Sequence, residues 1–147
     1  MKSYTHQLEF QTQKIFDFLD ITDDILKVIK DSQIQNGLLT VQSLHTTCAV
    51  FVNENEPLLL QDMESNLKKL VPFDIDYKHD NFEVRTVNIC DDECANGHSH
   101  CKALYLPTSV TLCISGGELV FGQWQRIFFL ELDRSRPRKC HVQIIGE

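Results

Sequence analysis

The segment spanning residues 109–121 constrains the fold most. Residues 109–114, Ser-Val-Thr-Leu-Cys-Ile, read as a strand, Gly116-Gly117 form a strong hairpin turn, and residues 118–121 run back. Antiparallel pairing is therefore expected here. Strand-like runs at 126–132 and 140–145 make the C-terminal half β-rich. Upstream, residues 5–13 alternate loosely as an opening strand, 38–44 read as a strand and 48–52 as its partner. Two helical patterns interrupt them. Thr22 before Asp23-Asp24, then Ile25, Leu26, Val28 and Ile29, predicts a hydroxyl-capped helix with acids in its first turn and Gly37 as its stop. Pro57 suits a first helical turn; Leu59, Met63, Leu67 and Leu70 follow at helical spacing as one buried stripe, and Pro72 ends it. A short helical turn is expected at 102–106, and 73–95 carries no clear pattern. The expected class is α+β: a mainly antiparallel β-sheet with two helices packed on one face, in one compact domain over residues 1–147.

Composition narrows the function. At 147 residues with 42% hydrophobic content, the chain has material for one real core and no second. A net charge of −7 repels a nucleic-acid backbone, so no nucleic-acid partner is expected. No apolar run is long enough to span a bilayer, and no apolar stretch follows the first residues as a signal peptide would require. A cytoplasmic chain without a membrane partner is expected. Its six cysteines, Cys48, Cys90, Cys94, Cys101, Cys113 and Cys140, then read as reduced thiols, with Cys113 in the core; the spacings match no structural zinc ribbon.

The chemistry-bearing residues begin with histidine. His98 and His100 lie two apart in Asn96-Gly97-His98-Ser99-His100, and His45 opens His45-Thr46-Thr47. If the 96–100 segment is extended, both rings project to one side. With His45 they would form a three-nitrogen cluster suited to a divalent metal such as zinc, or would supply a general acid and base. The alternative is hydrogen-bonded histidines bracing a loop. His79 has no local motif. Glu131 interrupts an apolar run and needs a partner, an arginine or a pocket histidine. Arg134, Arg136 and Arg138 would share a face at strand spacing, either as a phosphate clamp or as a solvated turn paired with carboxylates. Trp124 reads as packing, with Gln125 as a candidate ligand donor. Cys48 and Cys101 read as buried, inert thiols.

In order along the chain, His45-Thr46-Thr47, Asn53-Glu54-Asn55-Glu56, Tyr77-Lys78-His79, Asn96-Gly97-His98-Ser99-His100 with Lys102-Ala103, residues 109–117, Gly122-Gln123-Trp124-Gln125-Arg126-Ile127 and Glu131-Leu132-Asp133 with Arg136 and Arg138 resemble the YjbQ family, also called the secondary thiamine-phosphate synthase family. The resemblance implies an α+β protomer assembled as a homotrimer, with pockets near subunit boundaries. It also implies a weak transferase activity that joins a thiazole phosphate to a pyrimidine diphosphate, so the partner expected is a small phosphorylated metabolite. On this reading His45, His98, His100 and Glu131 are catalytic, and Asn96, Gln125, Arg136 and Arg138 bind substrate. The alternative is a noncatalytic metal- or metabolite-binding homotrimer. The chain departs from the pattern at Gln123, at Cys101 and at Arg134-Ser135, where Gly-Pro is usual.

Overall fold

The computed structural model describes residues 1–147. Strands β1 (Lys2–Gln11) and β2 (Asp17–Asp20) precede helix α1 (Thr22–Ser32); β3 (Gly37–Ser43), β4 (Cys48–Asn53) and α2 (Pro57–Leu70) follow. An irregular stretch holding one 3-10 turn (Lys78–Asp80) leads to α3 (Gly97–Ala103), then β5 (Ser109–Ser115), β6 (Glu118–Leu119), β7 (Arg126–Glu131) and β8 (Pro137–Gly146). All strand pairs are antiparallel, in a five-stranded sheet ordered β1-β8-β3-β5-β6 and a three-stranded sheet ordered β2-β7-β4. The α+β class and the mainly antiparallel pairing thus hold, and a third, shorter helix joins the two expected ones.

Period-two alternation explains how the layers meet. Along β8, Arg138, Cys140, Val142 and Ile144 are buried while their neighbours are more exposed. The last three join Leu39 and Val41 of β3, Val50 of β4, Ile127 and Phe129 of β7, and Ile25, Val28 and Ile29 of α1 in one cluster between the sheets. The other face of β7 is also covered: Leu130 packs with Ala49, Phe16 and Leu132, closed over by Leu67 of α2 and Ala103 of α3. A strand buried on both faces reads as a continuous apolar run, which is what 127–130 is. Each such side chain removed from water contributes roughly 1.5–3 kcal/mol. The two longer helices therefore serve different clusters, α1 between the sheets and α2 outside the small one.

Several local expectations need correction. β4 does not pair with β3; it pairs with β7 in the smaller sheet, and β3 lies between β8 and β5. Thr22 is inside α1, and the capping oxygen is Asp20 Oδ1, which accepts from the Thr22 N–H (3.1 Å) and hydroxyl (2.6 Å). The Thr22 hydroxyl in turn accepts the Ile127 N–H at 2.8 Å and ties the helix to β7. Gln33, left-handed at φ 56°, ends α1, not Gly37. Gly37 opens β3, where a Cβ would stand 2.2 Å from the Ile145 carbonyl oxygen. The α2 stripe is only half covered: no residue of α2 is buried, and Leu70 is exposed. Pro57 does start it, behind Glu56, whose carboxylate accepts the N–H groups of Leu58 (2.9 Å) and Leu59 (2.8 Å). Cys113 and Cys101 are exposed, and Trp124 is 65% exposed and packs nothing into the core. No helix is long and apolar enough to cross a membrane.

Candidate functional site

The His-Ser-His segment is helical, and a residue outside it makes it so. Asp80 Oδ1 accepts the N–H groups of Asn96 (2.9 Å) and Gly97 (2.8 Å), satisfying donors at the start of α3. Gly97 is required at this junction, because a Cβ there would lie 2.5 Å from the Tyr77 Cβ. Residues two apart on a helix diverge by about 200°, so the expected common projection of His98 and His100 is overturned. The helix also starts at Gly97, enclosing the histidines, whereas a turn beginning at Lys102 was expected.

His98 and His100 line different cavities. His100 meets the His79 ring edge-on at 4.6 Å between centroids. With His45, Thr46, Leu44, Leu104 and Thr108 it lines a cavity of about 560 Å3. His98 turns the other way, against the Phe73 ring at 4.5 Å. Together with Lys14, Asp133, Arg134 and Ser135 it lines a second cavity of about 450 Å3. The three histidines expected to form one metal centre are thus split. No group of three or more His, Cys, Asp or Glu side chains is arranged to hold a metal ion, so the residues present do not fit a three-histidine zinc site.

A buried charged centre lies between the cavities. Glu131 is fully buried and accepts from Arg138 Nε (2.5 Å) and Nη2 (2.7 Å), the Thr12 hydroxyl (3.0 Å), the Asp133 N–H (2.9 Å) and the Cys48 thiol (3.7 Å). Its lone pairs are satisfied, which is the condition under which a buried carboxylate is tolerated. Arg138 also donates to the Thr47 hydroxyl at 3.2 Å. Its burial opposes the charge, but the Glu131 hydrogen bonds outweigh that and raise its pKa. Arg138 is therefore spent on Glu131 and is not a free phosphate fork; all three arginines pair with carboxylates, the alternative weighed against a phosphate clamp. Burial, followed by the charge of Glu131, raises the Cys48 thiol and leaves it inert.

This centre positions His45. The Lys139 N–H donates to His45 Nε2 at 2.9 Å, and Arg138 Nη1 stands 3.4 Å from Nδ1. A guanidinium, like a backbone N–H, can only donate, so both ring nitrogens face donors and these surroundings disfavour an added proton. Burial, then the Arg138 charge, lowers the His45 pKa; burial, then His79, does the same for His100. Both rings are thereby kept neutral near pH 7.

Asp133 forms the second half of the centre. It is 5% exposed, accepts from Asn96 Nδ2 at 3.2 Å, and pairs with Arg136 (3.4 Å) and Arg134 (3.7 Å). Asn96 Oδ1, Arg134 Nη1 and His79 Nε2 are buried without a hydrogen-bond partner. Gln125 sits elsewhere: its Oε1 accepts the Gly122 N–H at 2.7 Å in an exposed loop, and it lines neither cavity. Sequence reasoning assigned no role to Lys102, which is fully buried with Nζ 3.3 Å from His98 Nδ1. Its signal was the i, i+4 spacing from His98, which is meaningful only once the segment is known to be a helix.

Comparison with known proteins follows the same outline. The profile of the family described as UPF0047 protein YjbQ-like matches residues 6–147. A UPF0047 protein of Methanothermobacter thermautotrophicus is 40% identical over 147 residues, covering 100% of this chain and 95% of the relative. The crystal structure of a YbjQ-like protein of unknown function from Sulfolobus solfataricus P2 superposes with a TM-score of 0.86 at 33% identity, covering 99% of each chain. A hypothetical protein from Aeropyrum pernix K1 does so with a TM-score of 0.85 at 31% identity, covering 98% of this chain and 99% of its own.

Proposed function

This chain belongs to the UPF0047 family of YjbQ-like proteins, and from that premise we propose that it is a transferase acting on a small phosphorylated metabolite, with a low thiamine-phosphate synthase activity. The observation that carries the reading is that His45 and His100, distant in sequence, line one cavity beside the buried Glu131–Arg138 pair. In the reaction, the thiazole nitrogen lone pair forms the new bond to the pyrimidine methylene carbon. The carbon–oxygen bond to diphosphate breaks, and diphosphate leaves with that electron pair. Charge on the leaving oxygen must be neutralised. His100, neutral, offers its ring N–H as a hydrogen-bond donor to that oxygen, His45 forms the opposite wall, and Glu131 acts through Arg138 to hold His45. Arg136, half-exposed and close enough for its charge to lower the His45 pKa, attracts the phosphate. Asn96 orients Asp133.

Thiamine-phosphate formation by wild type and His100→Ala tests this. The variant loses roughly 10²–10³ of the rate, the usual share of one donor to a developing oxyanion. Equal rates in the two proteins would remove His100 from the chemistry. The homotrimer implied by the resemblance is part of the same proposal. Leu44 and Leu104 line the cavity yet are 48% and 80% exposed, an apolar rim that a second copy would cover. Light scattering should give three times the chain mass for wild type and a smaller mass for Leu104→Asp.

A further inference from the structure

Lys102 is the most anomalous ionisable group in the molecule. It is fully buried, and no carboxylate lies within ion-pairing distance of it. Its ammonium instead stands over the Phe73 ring at 4.1 Å and near the Phe16 ring at 5.8 Å. Aromatic faces attract a cation but offer no lone pair. The polar group it meets is His98 Nδ1 at 3.3 Å.

That contact fixes the chemistry of His98. An ammonium can only donate, so Nδ1 must accept. The other neighbour of Nδ1 is the Ser99 hydroxyl at 3.1 Å, whose single proton goes to the Leu132 carbonyl at 2.6 Å. Nothing there competes with Lys102 as donor. The neutral imidazole therefore carries its proton on Nε2. Burial, then the Lys102 charge, lowers the His98 pKa, and burial brings Lys102 down to about 8, so the shared charge resides on the lysine at neutral pH.

His98 lines the cavity of about 450 Å3 with Lys14 and Arg134. The one carboxylate in the lining, Asp133, is already engaged by Asn96, Arg134 and Arg136. Arg134 and Lys14 thus bring two cations to this lining.

We propose that this cavity is a second binding site, distinct from the His45/His100 cavity, that takes a phosphoryl group on Arg134, Lys14 and the Nε2–H of His98, with Lys102 acting from behind as a positioning residue that fixes the His98 tautomer. The site does not depend on the reaction proposed at His100. Its role is to hold the phosphate of a substrate or effector outside the reaction cavity.

The test is a titration of the intact 15N-labelled protein with inorganic phosphate and then diphosphate, at constant ionic strength, reading the imidazole nitrogens. Before ligand, His98 Nδ1 should resonate as an unprotonated nitrogen and Nε2 as a protonated one. On titration the His98 signals should shift saturably, and should do so equally in His100→Ala, which separates this proposal from the catalytic one. Arg134→Gly should weaken binding roughly tenfold, as loss of a hydrogen bond from a charged group does. Lys102→Met should turn the His98 ring into a tautomer mixture and weaken binding as well. A His98 ring that does not respond to millimolar phosphate, or unchanged affinity in Arg134→Gly, would overturn the site. If Lys102→Met fails to fold, a protonated Nδ1 in the wild-type spectrum would by itself overturn the role of the lysine.

Discussion

Glu131 with Arg138, and Lys102 beside His98, are the two places where charge is buried around the site, and they are stabilised in opposite ways. The carboxylate and guanidinium saturate one another with two short hydrogen bonds, and Thr12, Thr47 and the Asp133 amide take up the remaining capacity. The lysine has no counterion; two aromatic rings and one imidazole nitrogen surround it. The first arrangement is rigid and keeps its charge, as the raised Arg138 pKa reflects. The second leaves a proton within reach of physiological pH. A saturated pair suits scaffolding of a site, whereas an under-compensated amine suits control of a neighbour's protonation.

Breaking the saturated pair should have the largest effect. Glu131→Ala leaves Arg138 buried and unpaired, and urea unfolding should show a loss of about 3–5 kcal/mol. Acid comes next. His45, His98 and His100 all have pKa values below 6.5 in the fold. The folded state thus binds fewer protons than the unfolded one in that window. Stability is full above pH 6.5 and falls as pH drops through the lower folded-state values. Denaturant midpoints across pH 4–8 check the sign, and a flat profile would contradict it.

The under-compensated lysine should respond more gently. Phe73→Leu removes the nearer aromatic face and should cost about 0.5–2 kcal/mol at neutral pH. In a Lys102→Met background that penalty should shrink, and a double-mutant cycle measures the difference. Lys102 is also depressed, from 10.5 to about 8, so its contribution is complete above pH 10.5 and is lost as pH falls through about 8. Wild type should gain stability on raising the pH through that window more than Lys102→Met does. At the small end, Gln125→Ala should move stability by no more than about 0.5 kcal/mol and leave thiamine-phosphate formation unchanged, since its contact is an exposed loop amide.

Much of the fold was legible because it is written in local periodicity. The Gly116-Gly117 hairpin, the proline start of α2 and the apolar runs of β5, β7 and β8 each declare themselves over a few residues. Both turn glycines indeed have positive φ, 61° and 77°. The site was legible in its parts. His45 and His100 line one cavity, His45 lies against Arg138, and Glu131 pairs with that arginine. His98 separated from His100 because Asp80, far back in the chain, supplies the capping carboxylate that makes 97–103 a helix. Nothing within Asn-Gly-His-Ser-His distinguishes that outcome from an extended loop.

By itself, then, the sequence determined the α+β class, the antiparallel bias and the residue types of the site, because propensity, turn chemistry and hydrophobic period act between near neighbours. The partition into two sheets, the direction in which each histidine faces, and the burial of Lys102 among Phe16, Phe73 and His98 were decided by tertiary structure alone. Strand partners, remote caps and the shortage of counterions around a buried amine depend on which distant segments fill the same volume, and no window along the chain contains that information.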